Sequence, residues 1–322
     1  MMDPKGFIGR LATLVQGLAL LSCRGASPPG PTYGEVEAPE AAPRSPATDA
    51  RETSAVLADR PYDLDADVRE RIARVRGEFG PDTPVHVEGS VFVLVAPDRS
   101  RLFEPAVRLV HDALGAYFNE RFSKGPDRAV TVFVFGAQGP YDAYCAKRFG
   151  SNGDTLLGFY SSRTREIFAN VGPGVSTLTH EIVHPIVQTD FPGAPASLDE
   201  GLGSLYEMPV LPRPGEIHGA KNWRLARLRQ ALSSPTESGQ VRIETLLAMS
   251  DDDFRGRSRD LHYAMARYLC QWLDDRGALW PFYRAWRADW AADPAGDRAF
   301  KQTLGATPAE VDAEWVDWLR RL

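Results

Sequence analysis

Residues 180–184 read His180-Glu181-Ile182-Val183-His184, and sixteen positions beyond His184 stands Glu200, within Leu198-Asp199-Glu200-Gly201-Leu202. On a helix, positions i and i+4 share a face, so both imidazoles can address one ion. Glu181 then lies beside that ion, placed to take a proton from a bound water. A second helix carrying Glu200 can supply a third ligand. Two His and one Glu, with the fourth position left to water, make a catalytic zinc arrangement rather than a closed structural one, with one Zn2+ per chain. The chain has only six His, and the flanking Leu178, Ile182, Val183, Ile186 and Val187 are apolar. Imidazoles on so apolar a segment need partners other than solvent. Pro185 directly follows His184 and removes a hydrogen bond to the carbonyl of Glu181. The helix is therefore expected either to kink there or to start late enough for the geometry to relax.

The elements that must position these residues follow from pattern. Residues 65–79 read as a short amphipathic helix with Val68, Ile72 and Val75 on one side. Residues 85–96 alternate and are β-branched, which predicts one strand. A long helix is expected over 101–122, a strand over 130–135 and a short helix over 140–149. Strands 155–160 and 166–169 form a hairpin just before the metal-binding helix. From residue 176 the chain turns mostly helical, with helices expected over 176–188, 196–209, 221–233, 242–249, 260–276, 279–291 and 308–321. Thr307, Pro308 and Glu310 give the last helix a capping box. The fold class is α+β: a small mixed β-sheet with helices as an N-terminal lobe (85–174), a mostly helical C-terminal lobe (175–322), and the metal site in the cleft between them.

The N-terminus carries a different signal. Lys5 and Arg10 precede an apolar run from Leu11 to Leu21, interrupted by Gln16 and too short for an ordinary membrane span. It ends Leu20-Leu21-Ser22-Cys23, which resembles a bacterial lipoprotein cleavage box. Residues 1–23 are therefore expected to be a signal segment with lipid attached at Cys23, anchoring an exported protein at a membrane of the cell envelope. The alternative is a secreted protein cut after Ala26, for instance. Residues 24–60, crowded with Pro28, Pro29, Pro31, Pro39, Pro43 and Pro46, read as a disordered tether to a domain over 61–322. Net charge is −6 with no basic block, so nucleic acid is not an expected partner. Cys145 and Cys270 lack zinc-finger spacing; an export compartment would permit a disulfide between them, but two buried free thiols are expected.

With these residues in view, the chain resembles the gluzincin metallopeptidases, the group of thermolysin and the zinc aminopeptidases, over roughly residues 85–322. In that group the third ligand often lies in a Trp-Leu-x-Glu-Gly-x-Ala segment; here Ser197 stands for the Trp and Gly203 for the Ala, and the gap from His184 to Glu200 is shorter than in the large aminopeptidases. The resemblance implies a zincin-like fold and a peptide or protein substrate. It further implies that a tyrosine of the segment Tyr263-Ala264-Met265-Ala266 stabilises the oxyanion, with Tyr206 and Tyr268 as rivals to Tyr263. It also implies that an edge strand, Gly158-Phe159-Tyr160 or Ile167-Phe168-Ala169, pairs with substrate backbone.

The expected function is peptide-bond hydrolysis by a metal-activated water, with zinc on His180, His184 and Glu200, and Glu181 as general base. Asp199 and Glu207 are candidates to orient the ligand imidazoles, Glu207 standing seven positions from Glu200 on the same helical face. Solvated carboxylates are the default for both. The alternatives are a non-catalytic surface lipoprotein of the same architecture, used for binding or scaffolding, and a zinc hydrolase of another substrate. Endopeptidase action is slightly preferred, because no acidic exopeptidase signature is visible.

Overall fold

Hydrophobic residues that face both sides of a sheet need two cores, and the strands of this chain supply them. The computed structural model describes residues 61–150 and 157–322. The expected signal segment, Cys23, the expected tether and the start of the strand expected over 155–160 lie outside the described residues. Strands β1 (Val85–Glu88), β2 (Phe92–Val95), β3 (Val130–Phe135), β4 (Gly158–Ser161) and β5 (Glu166–Asn170) form one sheet in the order β1-β2-β3-β5-β4. The central β2, β3 and β5 run parallel, and β1 and β4 are antiparallel edges. The single strand expected over 85–96 is instead the hairpin β1–β2. Gly89 and Ser90 both take positive φ, at 57° and 62°, within the three-residue connection 89–91, and Val91 N–H donates to the Glu88 carbonyl at 3.2 Å. Alternation that runs on through a Gly-Ser turn masked it.

One sheet face presents Val93, Val95, Phe133, Phe135, Phe159 and Phe168 to helices α1 (Leu64–Phe79) and α3 (Gln138–Phe149). Phe133 stacks on Phe168 at 5.0 Å. The other face presents Phe92, Leu94, Val132, Val134, Ile167 and Ala169 to α2 (Phe103–Tyr117) and to a core that continues into the helical half. A sheet buried on both sides reads as near-continuous apolar runs, as β3 does.

The helical half comprises α4 (Thr177–Glu181), α5 (Val183–Asp190), α6 (Ala196–Leu205), α7 (Arg224–Ser233), α8 (Ile243–Leu247), α9 (Asp251–Phe254), α10 (Arg259–Asp274), α11 (Leu279–Asp289), α12 (Asp297–Leu304) and α13 (Pro308–Arg321). Helices α9 and α12, and a short ladder pairing Pro209–Val210 with His218–Gly219, were not expected from pattern. Helix α10 packs along α6, and the approach is close because Gly201 has no side chain. A Cβ there would stand 2.8 Å from Cys270 Sγ and 3.0 Å from the carbonyl oxygen of Ala266. The capping box of α13 forms as its sequence dictates: Glu310 N–H donates to Thr307 Oγ1 at 3.3 Å, and Thr307 N–H to Glu310 Oε2 at 2.7 Å. Cys145 and Cys270 are free and buried in different cores. No helix among the described residues is long and apolar enough to cross a membrane.

Candidate metal centre

The expected helix over 176–188 is two hydrogen-bonded segments, α4 and α5, meeting at Ile182. Pro185 explains the interruption. It cannot donate to Glu181, but it falls in the first turn of α5, where a missing N–H is cheaply tolerated. Ile182 keeps right-handed helical dihedrals (φ −70°, ψ −24°), so the trace stays helical across the break. His180 and His184 therefore share one face, with ring centroids 4.9 Å apart. Proline interrupts the ladder without turning the two imidazoles apart.

Helix α6 brings Glu200 to the same point. Its Oε2 lies 3.4 Å from His180 Nε2 and 4.0 Å from His184 Nε2. A tetrahedral ion with bonds of about 2.0–2.1 Å separates its ligand atoms by about 3.3 Å. The His180 spacing is close to that edge length, and the His184 spacing, at 4.0 Å, is longer than it. The Oε2 of Glu200 is buried and has no hydrogen-bond partner of good geometry among the described residues, so a cation could take it. Ligand atoms of His180, Glu181 and His184 also lie within 4.8 Å of one another, all three buried. One turn beyond Glu200, a Cβ on Gly203 would come within 3.0–3.1 Å of the His180 ring. A glycine at this position is what admits the imidazole.

Each imidazole backs onto a further carboxylate. His184 Nδ1 lies 3.0 Å from Asp199 Oδ1, and His180 Nδ1 lies 3.4 Å from Glu207 Oε1. Asp199 is 22% exposed. Glu207 is not a solvated helix carboxylate. It stands beyond the end of α6, fully buried, where Arg224 clamps both its oxygens and Asn222 Nδ2 donates to Oε2 at 2.9 Å. Four carboxylates (Glu181, Asp199, Glu200, Glu207) and two guanidiniums (Arg224, Arg255) surround the histidines. Their formal charges sum to minus two, which one divalent cation balances with both imidazoles neutral. Without a metal, protons do the same work. Burial would lower both histidines, yet Glu200 and Glu207 outweigh it at His180 and hold it at about 9, and Asp199 with Glu200 holds His184 well above its ordinary value. Burial would raise Glu200, but His184, His180 and Arg255 bring it down to about 2.

Glu181 is buried beside the histidines, its side chain against Gly158 at the start of β4. A Cβ on Gly158 would meet Glu181 Oε1 at 3.0 Å. Tyr263, on α10, is buried. The helix is covered on nearly all sides, with Phe254 at 5.0 Å from the Tyr263 ring and the Arg224 guanidinium 5.0 Å over it. Burial first, then the Glu200 carboxylate, push the Tyr263 phenol well above the ordinary pKa. The rivals are engaged elsewhere: Tyr206 packs on Tyr117 at 5.2 Å in the core, and the Tyr268 hydroxyl bonds the backbone of Asn222. Arg224 and Arg255 were missed by sequence reasoning, because an arginine in a helix or turn carries no signal that it faces inward. No family model and no curated protein matches the sequence.

Proposed function

We propose that the chain is a zinc-dependent metallopeptidase of the gluzincin type on a zincin-like architecture, with a sheet-bearing half and a helical half meeting at the metal. The observation that carries this reading is the convergence of His180 Nε2, His184 Nε2 and Glu200 Oε2 with Glu181 beside them. His180, His184 and Glu200 would hold the ion, while Glu207 and Asp199 fix the ring orientations. Bound zinc supplies Lewis acidity at this point, acidifying a water and polarising a carbonyl. Glu181 takes the proton of the attacking water and delivers it to the leaving amine. Tyr263, kept protonated by its surroundings, donates to the oxygen on which negative charge develops.

Two features favour a peptide over other hydrolysable substrates. Strand β4 is the outermost of the sheet and, among the described residues, pairs only with β5. Its first residue touches Glu181, so a substrate strand added to this edge passes the general base. Glu181→Gln should retain zinc and lose hydrolysis of a peptide library by about 10²–10⁴-fold. A fully active variant refutes the general-base role, and zinc without any cleavage by the wild type moves the protein to a binding role or another substrate.

The proposal extends to location: export, with lipid on Cys23 holding the enzyme at a membrane surface. Intact-mass measurement on membrane-fraction protein should show a mature chain starting at Cys23 with added acyl mass. An unacylated chain starting elsewhere excludes the anchor.

A further inference from the structure

The short helix α9 joins the third ligand to the rest of the site, and no step proposed above uses it. Asp251 Oδ1 accepts from the N–H of Ala196 at 2.9 Å, which caps the start of α6. Four residues on, Arg255 Nη2 reaches Glu200 Oε1 at 3.5 Å, and Nη1 lies 3.7 Å from Asp251 Oδ2. The turn is itself fastened to α10. His262 Nδ1 lies 2.9 Å from the Phe254 carbonyl oxygen, and Phe254 is buried against Tyr263. Glu200 thus has its two oxygens divided: Oε2 faces the histidines, and Oε1 faces a guanidinium.

We propose that the Asp251–Arg255 turn is a positioning device, in which Arg255 occupies Glu200 Oε1 and so restricts this residue to one-oxygen ligation. The inference rests on the metal-site reading above. Its consequence is a coordination number. A carboxylate free to rotate binds an ion through both oxygens and fills the position that a catalytic site leaves open. Arginine suits the task because its planar fork can face Glu200 and Asp251 together, which a lysine cannot reproduce. The side chain of Arg255 is 28% exposed, so it can be truncated without opening the core.

The test is cobalt and zinc binding by the full chain carrying Arg255→Ala or Arg255→Lys, compared with wild type. Visible absorption of bound cobalt reports coordination number, being more intense for four ligands than for five. Zinc affinity comes from competition with a chelator, and circular dichroism of the metal-free variants controls for folding. Arg255→Ala should weaken zinc binding by about tenfold to a hundredfold and reduce the cobalt absorption, with Arg255→Lys between it and wild type. A variant that folds and binds both metals like wild type, with an unchanged spectrum, overturns the proposal. Should Arg255→Ala not fold, the Arg255→Lys spectrum decides by the same criterion. A wild-type chain that binds neither metal removes the metal-site reading itself, and this proposal with it.

Discussion

His180 and His184 each turn one nitrogen toward Glu200 and the other toward a further carboxylate, which gives the two rings a double use. With a divalent ion present they are neutral ligands, and without one they are cations paired with buried anions. If the proposed metal binds, it competes with protons for the same site. For the metal-free chain the sign follows from the shifts. His180 is raised from 6.5 to about 9, so its contribution to stability is complete below 6.5 and is lost as pH rises through about 9. Glu200 is lowered from 4.5 to about 2, so its contribution is complete above 4.5 and is lost as pH falls through about 2. Scanning calorimetry of the metal-free chain should show Tm falling between pH 6.5 and 9, with saturating zinc abolishing much of that fall. A Tm that stays flat over this window without metal means the imidazoles are neutral in the folded state, and the carboxylates around them are not arranged as described.

Elements place these residues through contacts that sequence shows unevenly. The His180–His184 spacing and the Glu200 segment were legible because a 3.6-residue period fixes which side chains meet. The capping box of α13 was legible because it is local. Glu207 was read as a helical neighbour of Glu200, whereas α6 ends at Leu205 and a buried arginine from α7 decides the fate of that carboxylate. The hairpin in 85–96 was lost because the apolar rhythm continues through Gly89-Ser90. Gly201 matched the motif and Gly203 departed from it, yet each makes room for a named group, Cys270 with the Ala266 carbonyl in the first case and the His180 ring in the second. The α6–α10 contact turns this into a prediction. Gly201→Ala puts a methyl against the backbone of Ala266, which cannot yield as a side chain can, so the helices must separate. Overpacking of this type costs about 1–3 kcal/mol, read as a lower midpoint in urea unfolding. An unchanged midpoint would show that α6 and α10 are not held this closely.

At the scale of the whole molecule, the question is whether the metal builds the fold or only uses it. The sequence indicated an α+β chain with a helical second half, but not how the halves join, since no local pattern tells which sheet face a distant helix covers. The structure answers through its core. One continuous apolar cluster runs from Phe92, Val132 and Ile167 in the sheet through Leu178, Ile182 and Leu202 around the site to Trp272, Trp286 and Trp315 in the last helices. Small zinc domains unfold on chelation because they lack such a core. Here the apolar core extends from the sheet to the last helices, far beyond the candidate site, so chelation should leave the far-ultraviolet circular dichroism intact. Zinc held at the proposed site would then add stability only by preferential binding to the folded state, about 2.7 kcal/mol when its free concentration is a hundred times Kd. For a domain of this size that raises Tm by about 5–10 °C. Glu200→Ala should retain the same secondary structure and lose most of the zinc-dependent rise. Collapse of the wild-type spectrum on chelation would instead make the ion part of the folding core. A rise of equal size in Glu200→Ala would remove Glu200 from the ligand set.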